Sequence, residues 1–300
     1  MHSERFLSIY SHCIICPWEC GCDRLNGETG KCRCGTEAVI SDYMPHFGEE
    51  ACLVGKKGSG AIFFSYCNLK CVFCQTEDVS LKGEGTPVEI KKLAEIMLWL
   101  QNEGCHNINL ITPTHIIVSI VLSIREARDN GLTVPVIYNS GGYDKVETLR
   151  ELDGLIDIYL PDFKFWSPEV AEKLCGAKNY PEVVREAIKE MRRQVGDLTL
   201  DSNTGLARRG LLVRHLVLPG LLSETENIIE FLVREISPDT YVNIMGHYHP
   251  CGMAIKIPPL NRTLRRSEYV KAMEFAKRAG LKRLDKTHFS LYPLVFSPES

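Results

Sequence analysis

Cys67, Cys71 and Cys74 stand at C-x3-C-x2-C within one short run, Ser65-Tyr66-Cys67-Asn68-Leu69-Lys70-Cys71-Val72-Phe73-Cys74-Gln75. Three thiolates from one loop can hold three irons of a four-iron cluster and leave the fourth iron without a protein ligand. An open metal position is what a catalytic site needs and a structural site lacks. Zinc usually takes four ligands, commonly as two C-x2-4-C pairs, and a disulfide framework cannot use three cysteines evenly. Chance clustering is the remaining alternative, because the chain has 13 cysteines. The preceding Ala61-Ile62-Phe63-Phe64-Ser65-Tyr66 reads as a buried strand, which would deliver the loop at a strand's C-terminal end.

A second cysteine-rich stretch lies near the N-terminus. It runs Cys13-Ile14-Ile15-Cys16-Pro17-Trp18-Glu19-Cys20-Gly21-Cys22 and ends at Cys32-Arg33-Cys34. Few apolar residues separate Cys16 from Cys34, and units with so little core usually need a metal or a cross-link. Cys13, Cys16, Cys20 and Cys32 form a four-thiolate set, with Cys22 and Cys34 as spares. Zinc and a second iron-sulfur cluster both accept such ligands. The alternative is a set of reduced cysteines on a loop over the main domain.

The elements that must position these residues are legible from residue 61 onward, where strand and helix patterns alternate. Strands are expected at 61–66, 107–111, 134–138, 155–160, 211–217 and 241–245. Capping boxes at Thr86-Pro87-Val88-Glu89 and Ser223-Glu224-Thr225-Glu226 mark two helix starts, and helices are expected at 116–130, 181–195 and 267–279. Repeated strand-helix units imply a parallel sheet flanked by helices. The expected class is therefore α/β, a partial (β/α)6 barrel over 56–285, with a cysteine-rich segment over 1–55 and a tail over 286–300. In such folds chemistry collects at the C-terminal strand ends. There the chain offers Thr112-Pro113-Thr114-His115, Asn139-Ser140-Gly141-Gly142, Asp162-Phe163-Lys164, Arg214-His215 and His247-Tyr248-His249.

Three hundred residues at 44% hydrophobic suit one large domain, or one with an appendage. A formal net charge of −3 gives no sign of nucleic-acid binding. No apolar run reaches the roughly 18 residues of a membrane span, and the first residues show no signal-peptide core. Thirteen cysteines without export signals suggest a reducing cytoplasm and metal binding.

C-x3-C-x2-C with an aromatic, Phe73, before its last cysteine resembles the radical S-adenosylmethionine (radical SAM) superfamily. The longer run from Gly58-Ser59-Gly60 to Gln75 is similar to homologues of the pyruvate formate-lyase-activating enzyme, a likeness extending from about Cys13 to Leu284. The resemblance implies an oxidoreductase in which a [4Fe-4S] cluster on Cys67, Cys71 and Cys74 chelates S-adenosylmethionine (SAM). One electron, from a donor such as flavodoxin or ferredoxin, would split SAM to methionine and a 5'-deoxyadenosyl radical that abstracts hydrogen from a substrate. Phe73 would lie by the adenine. A glycyl-radical enzyme is the implied partner, with another peptide or a small molecule as the alternative; no nucleic acid or membrane partner is expected. A different class altogether would be a non-catalytic metal-binding scaffold.

The resemblance also reaches single residues. Asp162-x-Lys164 resembles an element that frames SAM in glycyl-radical activating enzymes, and Asn139 matches their Asn-Gly turn. Arg214, opening a stretch that ends at Pro219-Gly220, would pair with the SAM carboxylate, since a guanidinium forks onto carboxylates. His215 should then face the other way. One departure stands out: the Gly-Gly-Glu that usually holds the SAM amino group is absent, leaving Thr112 or Thr114 as the available oxygens. The pairs Arg192-Arg193 and Arg208-Arg209 read as solvated faces. His247-Tyr248-His249 and Cys251 read as a turn beside the substrate channel, and Asp201 to Gly205 as a loop near its mouth.

Overall fold

A computed structural model of the chain describes residues 8–285. The tail expected over 286–300 lies outside the described residues. The strands are β1 (Ala38–His46), β2 (Ser59–Phe64), β3 (Thr86–Val88), β4 (Ile108–Ile111), β5 (Val136–Ser140), β6 (Ile158–Pro161), β7 (Thr199–Leu200), β8 (Ala207–Leu216), β9 (Tyr241–Met245) and β10 (Arg283–Leu284). The α-helices are α1 (Ala51–Val54), α2 (Ile90–Asn102), α3 (Ile117–Asp129), α4 (Val146–Arg150), α5 (Pro168–Cys175), α6 (Tyr180–Val195), α7 (Leu222–Phe231) and α8 (Arg266–Ala279).

Strands β2, β4, β5, β6, β8 and β9 are neighbours in that order, and every pairing among them is parallel. This is the expected open, partial (β/α)6 barrel. One edge is extended by β10 and the other by antiparallel β1 and β3. Strands buried on both faces read as continuous apolar runs, and β5 and β6 are buried throughout. Their outward residues join a large core with Leu93, Met97 and Leu100 of α2 and Ile120 and Ile124 of α3. Their inward residues form a second core, in which Ile137, Ile158, Leu160 and Leu212 meet Cys52 and Leu53 of α1. Helix α1 therefore plugs the barrel, and Asn107, just before β4, donates to Leu53 O at 2.8 Å.

Two expectations give way here. Residues 86–88 do not cap a helix but pair with Ala38–Ile40 as an edge strand, and Glu89 precedes α2 without a side-chain cap. Residues 38–54, grouped above with the cysteine-rich segment, are built into the barrel as its edge and plug. No described helix is long and apolar enough to cross a membrane.

Candidate functional site

The three-cysteine loop opens directly after β2, at the C-terminal end of the parallel strands. Tyr66 takes φ 67°, a left-handed conformation uncommon for a residue with a side chain, as the chain turns out of the strand. His115 is fully buried and its Nε2 donates to Ser65 O at 2.9 Å, fixing the loop's root. Burial pushes the His115 pKa down to about 4, so the ring is neutral and rigidly placed. Val72 N donates to Leu174 O at the end of α5, and Ala254 N donates to Val72 O. The Cys251 thiol donates to Phe73 O at 3.0 Å. Backbone on both sides thus holds a loop without regular structure of its own.

Within the loop, Cys67 Sγ accepts from Leu69 N at 3.4 Å, and Cys74 Sγ shares a hydrogen bond with Ser80 Oγ at 3.0 Å. Phe73 is buried edge-on against Phe165 and Tyr248. Burial raises the Cys67 pKa to about 11 and holds Cys71 well above its ordinary value. Lys164 opposes this: its ammonium lies within electrostatic reach of both thiols. Burial alone would lower Lys164, but Asp162 and the two cysteines hold it above the usual lysine value. Among the described residues no three or more His, Cys, Asp or Glu side chains stand close enough together to hold a metal ion without rearrangement. By donor chemistry the loop fits a cluster: three thiols from one segment, with a cation beside two of them that favours their thiolates.

The rim around the loop holds the other strand-end residues. Lys164 Nζ is ion-paired with Asp162. Tyr180, at the start of α6, ties the ends of β5 and β6 together: its hydroxyl lies 3.0 Å from Gly141 O and 2.7 Å from Asp162 O, and it accepts from Lys164 N at 2.9 Å. A Cβ on Gly142 would stand 2.5 Å from Asp162 O, so this close approach requires glycine, whose φ of 77° suits it as well. Asn139 is buried on the same strand face as the inward Ile137. Thr112 takes φ 65° at the end of β4, where the usual Gly-Gly-Glu is missing. Thr114 is already engaged, donating to the buried Asp144, which also accepts from Ser140 and Tyr138.

Arg214 faces inward and His215 outward. His215 bonds Phe163 O and Thr225 Oγ1 beneath α7. The Arg214 guanidinium forks onto Glu50 at 2.8 and 2.6 Å and also pairs with Glu49. Asn243 and Asn109 donate to Glu50 and Glu49 respectively. Arg214 therefore enters the site with two carboxylates already on its fork. The loop at Asp201–Gly205 joins β7 to the start of β8, so it sits at the N-terminal strand ends rather than near the mouth. Arg192 and Arg193 pair with Asp197, Asp153 and Glu190, and Arg208 with Asp201.

The N-terminal segment lies against this same rim. Trp18 Nε1 donates to Asn68 O at 2.6 Å, and Asn68 Nδ2 donates to Tyr143 O at 2.7 Å. Trp18 also packs edge-on against Tyr143, and Thr148 Oγ1 donates to Ile15 O. Sequence reasoning missed Tyr180, Asn68 and the Glu49-Glu50 pair. Their roles depend on partners distant in the chain, although two adjacent acids before an apolar turn were a visible signal.

A model of the radical SAM superfamily matches residues 61–232. An uncharacterized protein of Methanocaldococcus jannaschii is 32% identical over 284 residues, covering 91% of this chain and 77% of that one. Among solved structures, SuiB of Streptococcus suis bound to the precursor peptide SuiA aligns with TM-score 0.48 and 13% identity over 76% of this chain. The chain spans 48% of the length of that structure. SuiB bound to S-adenosylmethionine aligns with TM-score 0.48 and 16% identity, over 77% of this chain and 51% of that one. Methylornithine synthase (PylB) aligns with TM-score 0.47 and 15% identity, over 75% of this chain and 70% of that one.

Proposed function

We propose, for a chain that belongs to the radical SAM superfamily, a reductive cleavage of SAM at Cys67, Cys71 and Cys74 and hydrogen abstraction from an extended peptide segment. The superfamily's [4Fe-4S] cluster and SAM, when bound, supply the one-electron cleavage that yields a 5'-deoxyadenosyl radical. The observation that carries this reading is the three-cysteine loop seated at the parallel strand ends beside Lys164 and Asp162.

Each residue then has a part. The three thiolates hold the cluster and leave one position open. Lys164 offsets thiolate charge, and Asp162 keeps that ammonium in place. Phe73 supplies an apolar wall toward the adenine. Asn139 and Thr112 offer uncharged hydrogen-bonding groups to the SAM amino acid moiety. Arg214 holds Glu50 below its usual carboxylate value and pairs with Glu49 beside it, and two carboxylates inside the barrel suit an ammonium group. That arrangement compensates for the missing Gly-Gly-Glu.

The loop is flanked on one side by the N-terminal segment and on the other by 251–254. With the loop bonded on both sides, a slim substrate suits it better than a folded surface. The likeness to activating enzymes makes the glycine loop of a glycyl-radical enzyme the first candidate, with flavodoxin or ferredoxin as electron donor. Deuterium placed on the α-carbon of candidate peptides should appear in 5'-deoxyadenosine under reducing, anaerobic conditions. Label arriving only from a small molecule would overturn the peptide assignment.

A further inference from the structure

Arg24 is a buried charge without a carboxylate. Only 3% of it is exposed. Its Nη1 donates to His115 O at 2.8 Å and Gly35 O at 3.3 Å, its Nη2 to Cys32 Sγ at 3.3 Å, and its Nε is buried with no partner. The Tyr10 ring lies 5.5 Å away. No ion pair to Arg24 occurs among the described residues. A buried cation left unpaired is destabilising, so this guanidinium calls for an anion that neutral thiols do not provide.

Backbone turns bring the cysteines around it into one neighbourhood, from which side-chain rotation would complete a ligand set. Cys13 N donates to Cys22 O, Gly21 N to Cys13 O, and Glu19 N to Cys16 O, each at 3.0 Å. Lys31 N donates to Cys20 Sγ at 3.4 Å, bringing the turn at residues 30–34 against residues 13–22. A Cβ on Gly30 would lie 2.6 Å from Cys20 Sγ, so this approach also depends on glycine. The electrostatic neighbours of Cys16 are Cys32, Cys13 and Cys20, and Cys32 in turn neighbours Cys13 and Cys20. Cys34 lies within electrostatic reach of Arg24, Cys32 and Cys13, but its thiol already donates to Glu37 O at 3.6 Å.

We infer that Cys13, Cys16, Cys20 and Cys32 hold a second, thiolate-ligated metal centre, an iron-sulfur cluster or zinc, whose negative charge is balanced by buried Arg24. Four thiolates around a core of charge +2 leave a net negative site in either case. The same segment packs on Asn68 through Trp18, so the second centre stands beside the catalytic loop. The assignment concerns residues outside the three-cysteine loop and stands whether or not SAM is cleaved.

The test uses the full chain carrying Cys67→Ala, Cys71→Ala and Cys74→Ala, so that bound metal belongs to the second site. After anaerobic reconstitution and desalting, this protein should retain either about four iron and four sulfide, or about one zinc, per chain. The two results distinguish cluster from zinc. Adding Cys16→Ala and Cys32→Ala should remove the metal, whereas Cys22→Ala with Cys34→Ala should leave it. Arg24→Met should speed metal loss to a chelator about tenfold, the size typical of a lost supporting partner, and Arg24→Lys should restore most of the retention. Exposed Cys20 provides a readout on the unmutated N-terminal segment: it should resist alkylation until the metal is chelated. A folded triple variant without metal, with Cys20 alkylated at once, would overturn the site. Metal that survives loss of Cys16 and Cys32, or that departs with Cys22 and Cys34, would overturn the ligand set. Equal retention in Arg24→Met would overturn the charge argument.

Discussion

The Lys164 ammonium stands between a carboxylate and two thiols. Removing its charge should weaken the thiolates it faces. Lys164→Met is expected to lower SAM cleavage at least tenfold, about 1.4 kcal/mol of transition-state stabilisation, while Lys164→Arg keeps a larger share. The measurement is 5'-deoxyadenosine released by reconstituted protein, with iron content followed in parallel. Equal rates in Lys164→Met would remove the residue from the site. Cys67→Ala, Cys71→Ala and Cys74→Ala should each abolish cleavage and reduce bound iron, since three thiolates are the minimum that leaves one iron open. The three-cysteine spacing and Asp162-x-Lys164 were legible because their partners are local in the chain. The partners of Arg214 were not: Glu49 and Glu50 lie 165 and 164 residues away, and side-chain pairing at that separation leaves no mark on periodicity.

At the scale of elements, Gly142 and Tyr180 hold the ends of β5 and β6 in register with the site. Gly142→Ala forces a methyl toward Asp162 O and a residue with a side chain into φ 77°. It should lower both the melting temperature and SAM cleavage. Tyr180→Phe removes one hydroxyl shared by three backbone groups and should cost about 1–3 kcal/mol, read from urea denaturation. The six parallel strands were readable because their buried stretches are mainly apolar and β-branched. The capping boxes did not form: Thr86 lies in an edge strand, and α7 begins at Leu222, so Ser223 falls inside the helix and Glu226 pairs with Arg278 instead. Glu224 accepts from Trp166 N and Ser167 N, at 2.7 and 2.9 Å, and leaves α7 without a side-chain cap. Residues 86–88 pair with β1, a strand in a segment where cysteines dominated the reading.

Across the whole molecule, Arg214 joins the barrel wall to the plug that closes it. Burial pushes Glu50 up, but Arg214 and Asn243 outweigh it and hold the carboxyl below the usual glutamate value. A depressed folded pKa contributes stability that is present above the unfolded value of about 4.3 and is lost as pH falls through the folded value. The protein should therefore lose melting temperature on acidification below about pH 4.3. Arg214→Met leaves two carboxylates buried and unpaired and should cost about 3–5 kcal/mol near neutral pH. Its stability should then rise as the pH is lowered, the opposite slope, which thermal melts across the pH range would reveal. All these devices serve one centre at the mouth of the barrel. The most direct test is anaerobic incubation of the reconstituted, reduced chain with SAM, followed by quantitation of 5'-deoxyadenosine and methionine. The account predicts both products in equal amounts, dependent on reductant and absent from Cys71→Ala. An intact cluster with no 5'-deoxyadenosine above the buffer background would contradict it and leave the cysteines a structural role.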